Sequence, residues 1–355
     1  MQQQGATHGM SEPNLERYAR QIRFPGFGEA SQQRLSAGSV LICGCGALGS
    51  VSANTLARAG VGHLRIVDRD FLEWNNLQRQ VLYDESDVAA GLPKAIAAAE
   101  KLRRINSQIQ IEPLVCDVDF HNIESLLQGI DIIVDGTDNF ETRFLLNDAS
   151  HQFAVPWVYG GCLGAEGQQL TIIPHQTPCL RCLIPEMPPP GTTPTCDTAG
   201  IFGPIINIIA SLQAMEAIKL LSGHADRVSR TLSVVDIWDN RLRQISLAGL
   251  REQATCPTCY GRDYAWLRGQ EGSHSAVLCG RNAVQLSVRA ANRRLDLAEL
   301  ARKFAGLGSV QANDFLVRLT TSDHVLTVFP DGRAIIGGTE DIAEAKTLYA
   351  KYVGN

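Results

Sequence analysis

A chain of 355 residues, 45% of them apolar and 19% charged, has room for one large domain and a smaller one and is too hydrophobic to be disordered. Its formal charge of −5 gives no broad basic field for nucleic acid, so an anionic ligand has to be met by a local group of cations. The opening MQQQGATHGMSEPN lacks a basic start followed by an apolar core and does not read as a secretory signal, which makes the cytoplasm the expected compartment.

In chain order, GSVLICGCGALGSVSANTLARAG reads as strand, glycine turn and helix, and VGHLRIVDRD as a second strand. GLPKAIAAAEKLRRINSQ spaces its apolar residues as a helix, and IQIEPLVC, DIIVDGTDN and VPWVYGG follow as further strands. This alternation predicts an α/β fold, a doubly wound, Rossmann-like and mostly parallel sheet. QQLTIIP and SVVDIWDNRLRQISL read as an antiparallel extension of it. Between them, PEMPPPGTTPTCDTAG has the composition of a long surface loop. The run IFGPIINIIASLQAMEAIKLL is interrupted by Asn207, Gln213, Glu216 and Lys219, so a buried helix is expected there and not a membrane span. After a break near GRDYAWLRGQEGSHS come a strand, a helix over LDLAELARKFAGLG, a hairpin through FPDGRAIIGG and a closing helix over DIAEAKTLYAKYVG, a small α+β domain. The expected domains are residues 11–262 and 275–355.

Gly44, Gly46 and Gly49 have the spacing GxGxxG between a strand and a helix, where backbone can approach a phosphate and the helix start offers free amides. Asp68, 19 residues after Gly49, closes the next strand and is placed to accept hydrogen bonds from ribose hydroxyls. Both features suit NAD as well as ATP. The stretch WNNLQRQ shifts the balance: Asn76, Arg79 and Gln80 follow the ribose acid closely, and Lys94 opens the next helix. Two cations converging on one site meet the need of a triphosphate and exceed that of a nicotinamide. At the end of the following strand Asp135, Asp138 and Asn139 fall at the carboxyl edge of the sheet, where a carboxylate suits Mg²⁺ held between phosphates. Helix capping by Asp138 is the alternative for that acid.

Cys179 and Cys182 in PCLRC and Cys256 and Cys259 in TCPTC form two CxxC pairs, a complete thiolate set for a closed, structural zinc site joining distant segments. A redox role is the alternative, but neither pair reads as the start of a helix. Cys196 lies in the proline-rich loop just before the apolar helix, a position where a helix N-terminus can raise its thiolate fraction. Cys43, Cys45, Cys116 and Cys162 read as small core residues, and Cys279 as a strand residue, with a second sulfur-handling thiol as its alternative. The histidines, among them His121, His151 and His175, show no ligand spacing.

RYARQI at 17–22, GCGALG, NNLQRQ, GLPK, DGTDN and SLQAMEAIKLLSG, in this order over residues 11–260, resemble the ubiquitin-activating-enzyme-like superfamily. The match is to its bacterial branch, which adenylates the sulfur carriers of molybdopterin and thiamine synthesis. The resemblance implies that Asp68 holds the ribose, that Asn76, Arg79, Gln80 and Lys94 hold the phosphates and that Asp138 binds Mg²⁺. It implies a homodimer in which Arg20 reaches the neighbouring subunit's nucleotide, and the same two CxxC pairs binding zinc. The implied substrate is a small ubiquitin-fold carrier whose C-terminal Gly-Gly carboxylate attacks the α-phosphate of ATP. Cys196 would then take the carrier as a thioester or persulfide link, supplied by a sulfur donor such as a cysteine desulfurase or rhodanese. The tail beyond residue 275 departs from the shortest members, and its implied task is carrier docking or dimer support. The rivals are an NAD-dependent oxidoreductase, which needs a histidine or tyrosine acid not evident here, and a zinc-stabilised protein that binds the carrier without turnover.

Overall fold

The computed structural model describes residues 15–189, 196–253, 255–271, 275–278, 282–286 and 295–354. Two compact units emerge, one of residues 1–185 and 202–262, the other of residues 186–201 and 263–355.

The first unit is built on an eight-stranded sheet. Strands β1 (Ser39–Cys43), β2 (His63–Val67), β3 (Gln110–Leu114), β4 (Ile132–Asp135) and β5 (Trp157–Leu163) run parallel in the order β3-β2-β1-β4-β5. The antiparallel strands β6 (Glu166–Ile172), β7 (Thr231–Asp236) and β8 (Arg241–Ser246) extend it at one edge. Val40, Leu41, Ile42, Ile132, Ile133 and Val134 are wholly or almost wholly buried, as continuous apolar strands covered on both faces require. At the far edge β8 is exposed along its whole length, with Leu242 and Ile245 facing solvent.

Helix α1 (Gly28–Ala37) precedes β1 and was not evident in the sequence. Helix α2 (Ala47–Ala59) starts directly from the glycine turn and ends on Gly60, whose φ of 87° and position against the Tyr18 ring leave no place for a Cβ. Helices α3 (Lys94–Ile105) and α4 (Phe140–Phe153) follow β2 and β4. The apolar run forms α5 (Gly203–Leu221), long and apolar enough by length and composition to cross a membrane, yet packed on α2, β5 and β6. Of the expected loop before it, 190–195 lie outside the described residues and Cys196–Ala199 form one helical turn.

Gln213, fully buried on α5, serves the sheet. Strands β4 and β5 pair only at Ile133↔Trp157 and Val134↔Val158. Gln213 Nε2 donates to the carbonyls of Asp135 (2.8 Å) and Val158 (3.0 Å), next to where the ladder stops.

The second unit has a six-stranded antiparallel sheet in the order β11-β12-β13-β14-β10-β9. Its strands are β9 (Ser275–Leu278), β10 (Ala283–Leu286), β11 (Ser309–Ala312), β12 (Val317–Thr320), β13 (Val325–Val328) and β14 (Ala334–Gly337). Alternate residues Val284, Leu286, Val317, Leu319, Leu326, Val328, Ala334 and Ile336 form its core with α6 (Leu297–Phe304) and α7 (Ile342–Tyr352). The sequence reading found the hairpin of β13 and β14 and both helices, but only one of the two strands before α6 and neither β11 nor β12. Cys279 lies outside the described residues.

Replacing Gln213 by Ala strips two buried carbonyls of their donor and leaves a cavity, at a cost of about 2 kcal/mol. A fall of about 4–8 °C in the thermal midpoint of the first unit is expected; an unchanged midpoint would mean that the bridge between β4 and β5 is not needed.

Candidate functional site

The three glycines of the turn after β1 do different work. A Cβ on Gly44, at φ 83°, would meet the Gly136 carbonyl at 2.8 Å, and one on Gly49 would meet the Gly44 carbonyl at 1.9 Å, so both are required by the fold itself. At Gly46 the nearest atom is Gln80 Nε2 at 3.8 Å, which leaves this position open to an approaching ligand. Asp68 accepts from the backbone amides of Cys45 and Asp70, each at 2.7 Å. Burial raises its carboxyl above the usual range, and the nearby Lys94 ammonium opposes the rise.

Lys94 is itself only 5% exposed; its Nζ lies 3.0 Å from Asp70 Oδ2 and its backbone amide donates to the Asp70 carbonyl. Beside it Arg69 meets Asp117 at 2.6 Å. Burial works against the Arg69 charge, but Asp117 and Asp70 hold the guanidinium above its ordinary range. Asn76 is buried, accepts from the Glu73 amide through Oδ1 and donates to Asn75 Oδ1, so it shapes the turn. Arg79 is half-buried and donates to the Asn75 carbonyl at 2.7 Å. Gln80 is buried with its Oε1 unpartnered, an acceptor without a donor at the edge of the glycine turn.

Across the sheet's carboxyl edge, Asn139 caps α4 by accepting from the Thr142 amide at 2.8 Å. The cap is therefore not Asp138, whose carboxylate stays exposed. Asp135 is fully buried; its Oδ1 accepts from the amide and hydroxyl of Thr137, and its Oδ2 lies 3.5 Å from Arg143 Nε. Burial raises the Asp135 carboxyl, with Arg143 acting against that rise. Arg143, buried on α4, donates through Nη2 to the carbonyls of Thr137 and Gly160 and sits over the Tyr159 ring. Asp70, Asp117 and Arg143 belong to no motif in the sequence; an arginine directly before the apolar run FLL in NFETRFLLN was the available signal for Arg143.

Arg20 lies away from this group. It is exposed on the one-turn helix Ala19–Ile22, whose Gln21 Nε2 donates to the Ala59 carbonyl. Ala59 ends α2, so that turn sits about 20 Å, the length of a helix of this size, from the glycine turn at the other end.

The Sγ atoms of Cys179, Cys182, Cys256 and Cys259 lie within 4.8 Å of one another, with separations of 3.8 Å (Cys179 to Cys182), 3.5 Å (Cys179 to Cys256) and 3.6 Å (Cys182 to Cys259). A tetrahedron built on Zn–S bonds of about 2.3 Å has edges of about 3.8 Å, so the donor set and its spacing fit zinc. Close thiol contacts spread the proton affinities: Cys179 is pushed well up by its partners, chiefly Cys182, and Cys256 is pushed down to about 6, chiefly by Cys179. Contrary to the sequence reading, each pair opens a single turn, Leu180–Leu183 after Cys179 and Pro257–Gly261 after Cys256. The convergence of four sulfurs fits a metal site better than a redox pair. His151, read as isolated, is buried with Nε2 3.8 Å from Cys259 Sγ. Of the remaining thiols, Cys43 and Cys45 are buried, while Cys116 and Cys162 are only half-buried. Cys196 lies in its helical turn, with its side chain outside the described residues.

Comparison with known proteins adds to this geometry. The ThiF family model matches residues 18–258. The chain is 43% identical over 339 residues to the sulfur carrier protein ThiS adenylyltransferase of Bacillus subtilis, covering 95% of this chain and 99% of that one. It is 38% identical to the SAMP-activating enzyme E1 of Haloferax volcanii, over 71% of this chain and 92% of that one. With the sulfur carrier protein adenylyltransferase of Thermus thermophilus it shares 36% identity, over 70% and 92%. Among solved structures, E. coli MccB with ATP shares the fold, with a TM-score of 0.59 and 23% identity over 70% of this chain and 74% of that chain.

Cys179→Ser is expected to lower bound zinc from one equivalent per chain to a small fraction and to lower the thermal midpoint with it. Metal analysis beside a melting curve checks this; a variant that keeps its metal and its midpoint would refute the four-sulfur site.

Proposed function

The chain belongs to the ThiF family and is an adenylyltransferase, and we propose that it joins AMP from ATP to the C-terminal Gly-Gly carboxylate of a ubiquitin-fold sulfur carrier. The observation that carries this reading is Lys94. An ammonium almost wholly removed from water stands beside the ribose acid and the open Gly46, where a triphosphate has use for it and a nicotinamide has none.

In this reading Gly44, Gly46 and Gly49 shape the cradle, and the amides at the start of α2 face the phosphates. Asp68 holds the ribose. Asn76 sets the turn that presents Arg79 and Gln80, and Gln80 Oε1 is the acceptor still open there. Asp138 and Asn139 stand opposite, and Asp138 would hold Mg²⁺, which when bound supplies positive charge between phosphate oxygens. The carrier's carboxylate is ionised at neutral pH, so it attacks the α-phosphorus without a general base, and pyrophosphate leaves. What the protein contributes is placement and charge neutralisation by Arg79 and Lys94. Arg20, about a helix length from its own subunit's glycine turn, serves the partner subunit's nucleotide in a homodimer.

The second step falls to Cys196. Its thiolate bonds to the acyl carbon, the bond from that carbon to the phosphate oxygen breaks, and AMP leaves with the electron pair. The terminal sulfur of a persulfide carried by a cysteine desulfurase or rhodanese then bonds to the same acyl carbon, the bond from that carbon to the Cys196 sulfur breaks, and Cys196 leaves as thiolate, which gives an acyl disulfide between carrier and donor. We assign adenylation to residues 11–262, with zinc on Cys179, Cys182, Cys256 and Cys259 tying its segments together. Residues 275–355 serve carrier docking or dimer support. The Bacillus subtilis relative aligns with 95% of this chain, so its match extends into that tail.

ATP–pyrophosphate exchange with Mg²⁺ and a panel of Gly-Gly-ended carriers tests the reading. Exchange with one carrier is expected, and Lys94→Ala or Asp138→Ala should lower it about 100-fold or more while the fold persists. Exchange retained in either variant would remove its phosphate or metal assignment. No exchange with any carrier, in folded and zinc-loaded protein, would favour the binding protein without turnover. In Cys196→Ala the exchange should persist while the covalent carrier adduct, read by intact mass, disappears; loss of exchange would show that its role lies in the first step.

A further inference from the structure

Helix α4 joins the sheet's carboxyl edge to the four-cysteine cluster. At its start, Asn139 caps the helix next to Asp138, and Arg143 grips the carbonyls of Thr137 and Gly160 at the sheet's carboxyl edge. Arg143, Asn147 and His151 recur every four residues and so share one face of the helix. One turn beyond Arg143, about 5.4 Å along the axis, the fully buried Asn147 reaches both cysteine pairs at once. Its Oδ1 accepts from the Leu180 amide at 2.9 Å, between Cys179 and Cys182. Its Nδ2 donates to Thr258 Oγ1 at 3.4 Å, between Cys256 and Cys259.

The surroundings fix this amide in place. An N–H can only donate, so the Leu180 amide settles which end of the Asn147 side chain is oxygen. The Thr258 hydroxyl spends its one hydrogen on Asp148 Oδ1 at 3.2 Å and accepts from Asn147 and from Arg181 Nη1. His151, a further turn on, meets Cys259 Sγ through Nε2 and the Asn147 carbonyl through Nδ1. A zinc ion on the four sulfurs would therefore hold in register the two segments that α4 grips, and α4 carries Arg143 and the capped turn at its other end.

We propose that Asn147 is a positioning residue that couples zinc occupancy to the nucleotide edge through the register of α4. The coupling rests on the reading of the four cysteines and of Asp138 given above. Linkage makes it reciprocal: nucleotide bound at the carboxyl edge must stabilise the metal at the other end of the helix by the same factor.

The test is the equilibrium partition of zinc between the full-length protein and a chelating dye, with and without saturating MgATP and without carrier, with ATP binding measured on the same samples by equilibrium dialysis. In the native protein MgATP is expected to tighten zinc binding about fivefold or more. In Asn147→Leu, zinc binding without nucleotide should be about tenfold weaker and should no longer respond to MgATP. Thr258→Val, which removes the hydroxyl but keeps the side chain's volume, should show the same loss of response, and it covers the case in which Asn147→Leu does not fold. Native protein that binds ATP but holds zinc with the same affinity with and without it overturns the coupling and leaves the adenylation reading standing. Variants that respond as the native protein does overturn the role of Asn147. Native protein that binds no ATP at all overturns both.

Discussion

The peptide unit of Cys45 is held at both ends. Its N–H donates to Asp68 Oδ2 at 2.7 Å, and its carbonyl accepts from the Tyr83 hydroxyl at 2.6 Å. A glycine turn left to itself would sample many conformations, since two of the residues that shape it lack a Cβ. Clamping the one residue between Gly44 and Gly46 removes that freedom before any ligand arrives. The clamp also ties the end of β2 to the end of β1, because Asp68 directly follows β2. The carbonyl of Lys94 lies 3.2 Å from the same hydroxyl, a second and weaker acceptor for its one hydrogen, so the turn also sits against the start of α3. A phosphate that enters meets amides already aimed, and little of the binding energy is lost to ordering them.

The charges around that clamp are nearly self-cancelling. Asp68, Asp70 and Asp117 face Lys94 and Arg69, with Asp70 near both cations. This balance explains how a lysine can be 5% exposed: the neighbouring carboxylates give the buried cation partners, with Asp70 at 3.0 Å. It also means that an incoming polyanion does not meet bare cations. It meets cations already shared with acids, and the attraction comes from redistribution within a desolvated cluster, where charge interactions are less screened than in water. Arg79 and Asp138 differ from these in being half-buried and exposed; in the function proposed above they serve the ligand's outer phosphates and their counter-ion.

What could be read from the sequence was whatever depends on short-range spacing. The parallel strands, the glycine turn, the position of Asp68 after the second strand and the two CxxC pairs are each encoded in a few neighbouring residues, and each took its expected place in the fold. Asn147, His151 and Gln213 were not legible because each acquires its partners from segments far along the chain: Asn147 meets Leu180 and Thr258, His151 meets Cys259, and Gln213 meets Asp135 and Val158. The cap of α4 shows the limit on a finer scale. Asp138 and Asn139 are both good capping residues and stand side by side, and only the backbone, extended at Asn139, decides between them. In the tail, β11 and β12 have four residues each, too few for an alternating pattern to stand out. Their link is made by Asn313 accepting from the Phe315 and Leu316 amides, a turn signal that the sequence states only weakly as Asn-Asp.

Helix α5 buries two polar residues among its apolar ones. Gln213 and Glu216, the polar breaks that argued against a membrane span, point inward, whereas Ile208 and Met215 are exposed. The inward polar groups have specific partners: Gln213 bridges β4 and β5, and Glu216 accepts from the Thr171 hydroxyl and the Ser229 amide while pairing with Lys219. A helix filled only with leucine and alanine at these positions would pack well against the sheet and would leave the carbonyls of Asp135 and Val158 without donors. The polar interruptions thus serve the sheet's carboxyl edge, fixing Asp135 and the turn that leads to Asp138 from behind, as Arg143 fixes them from the side. Composition makes α5 resemble a membrane helix, and its hydrogen bonds make it a buttress of the site.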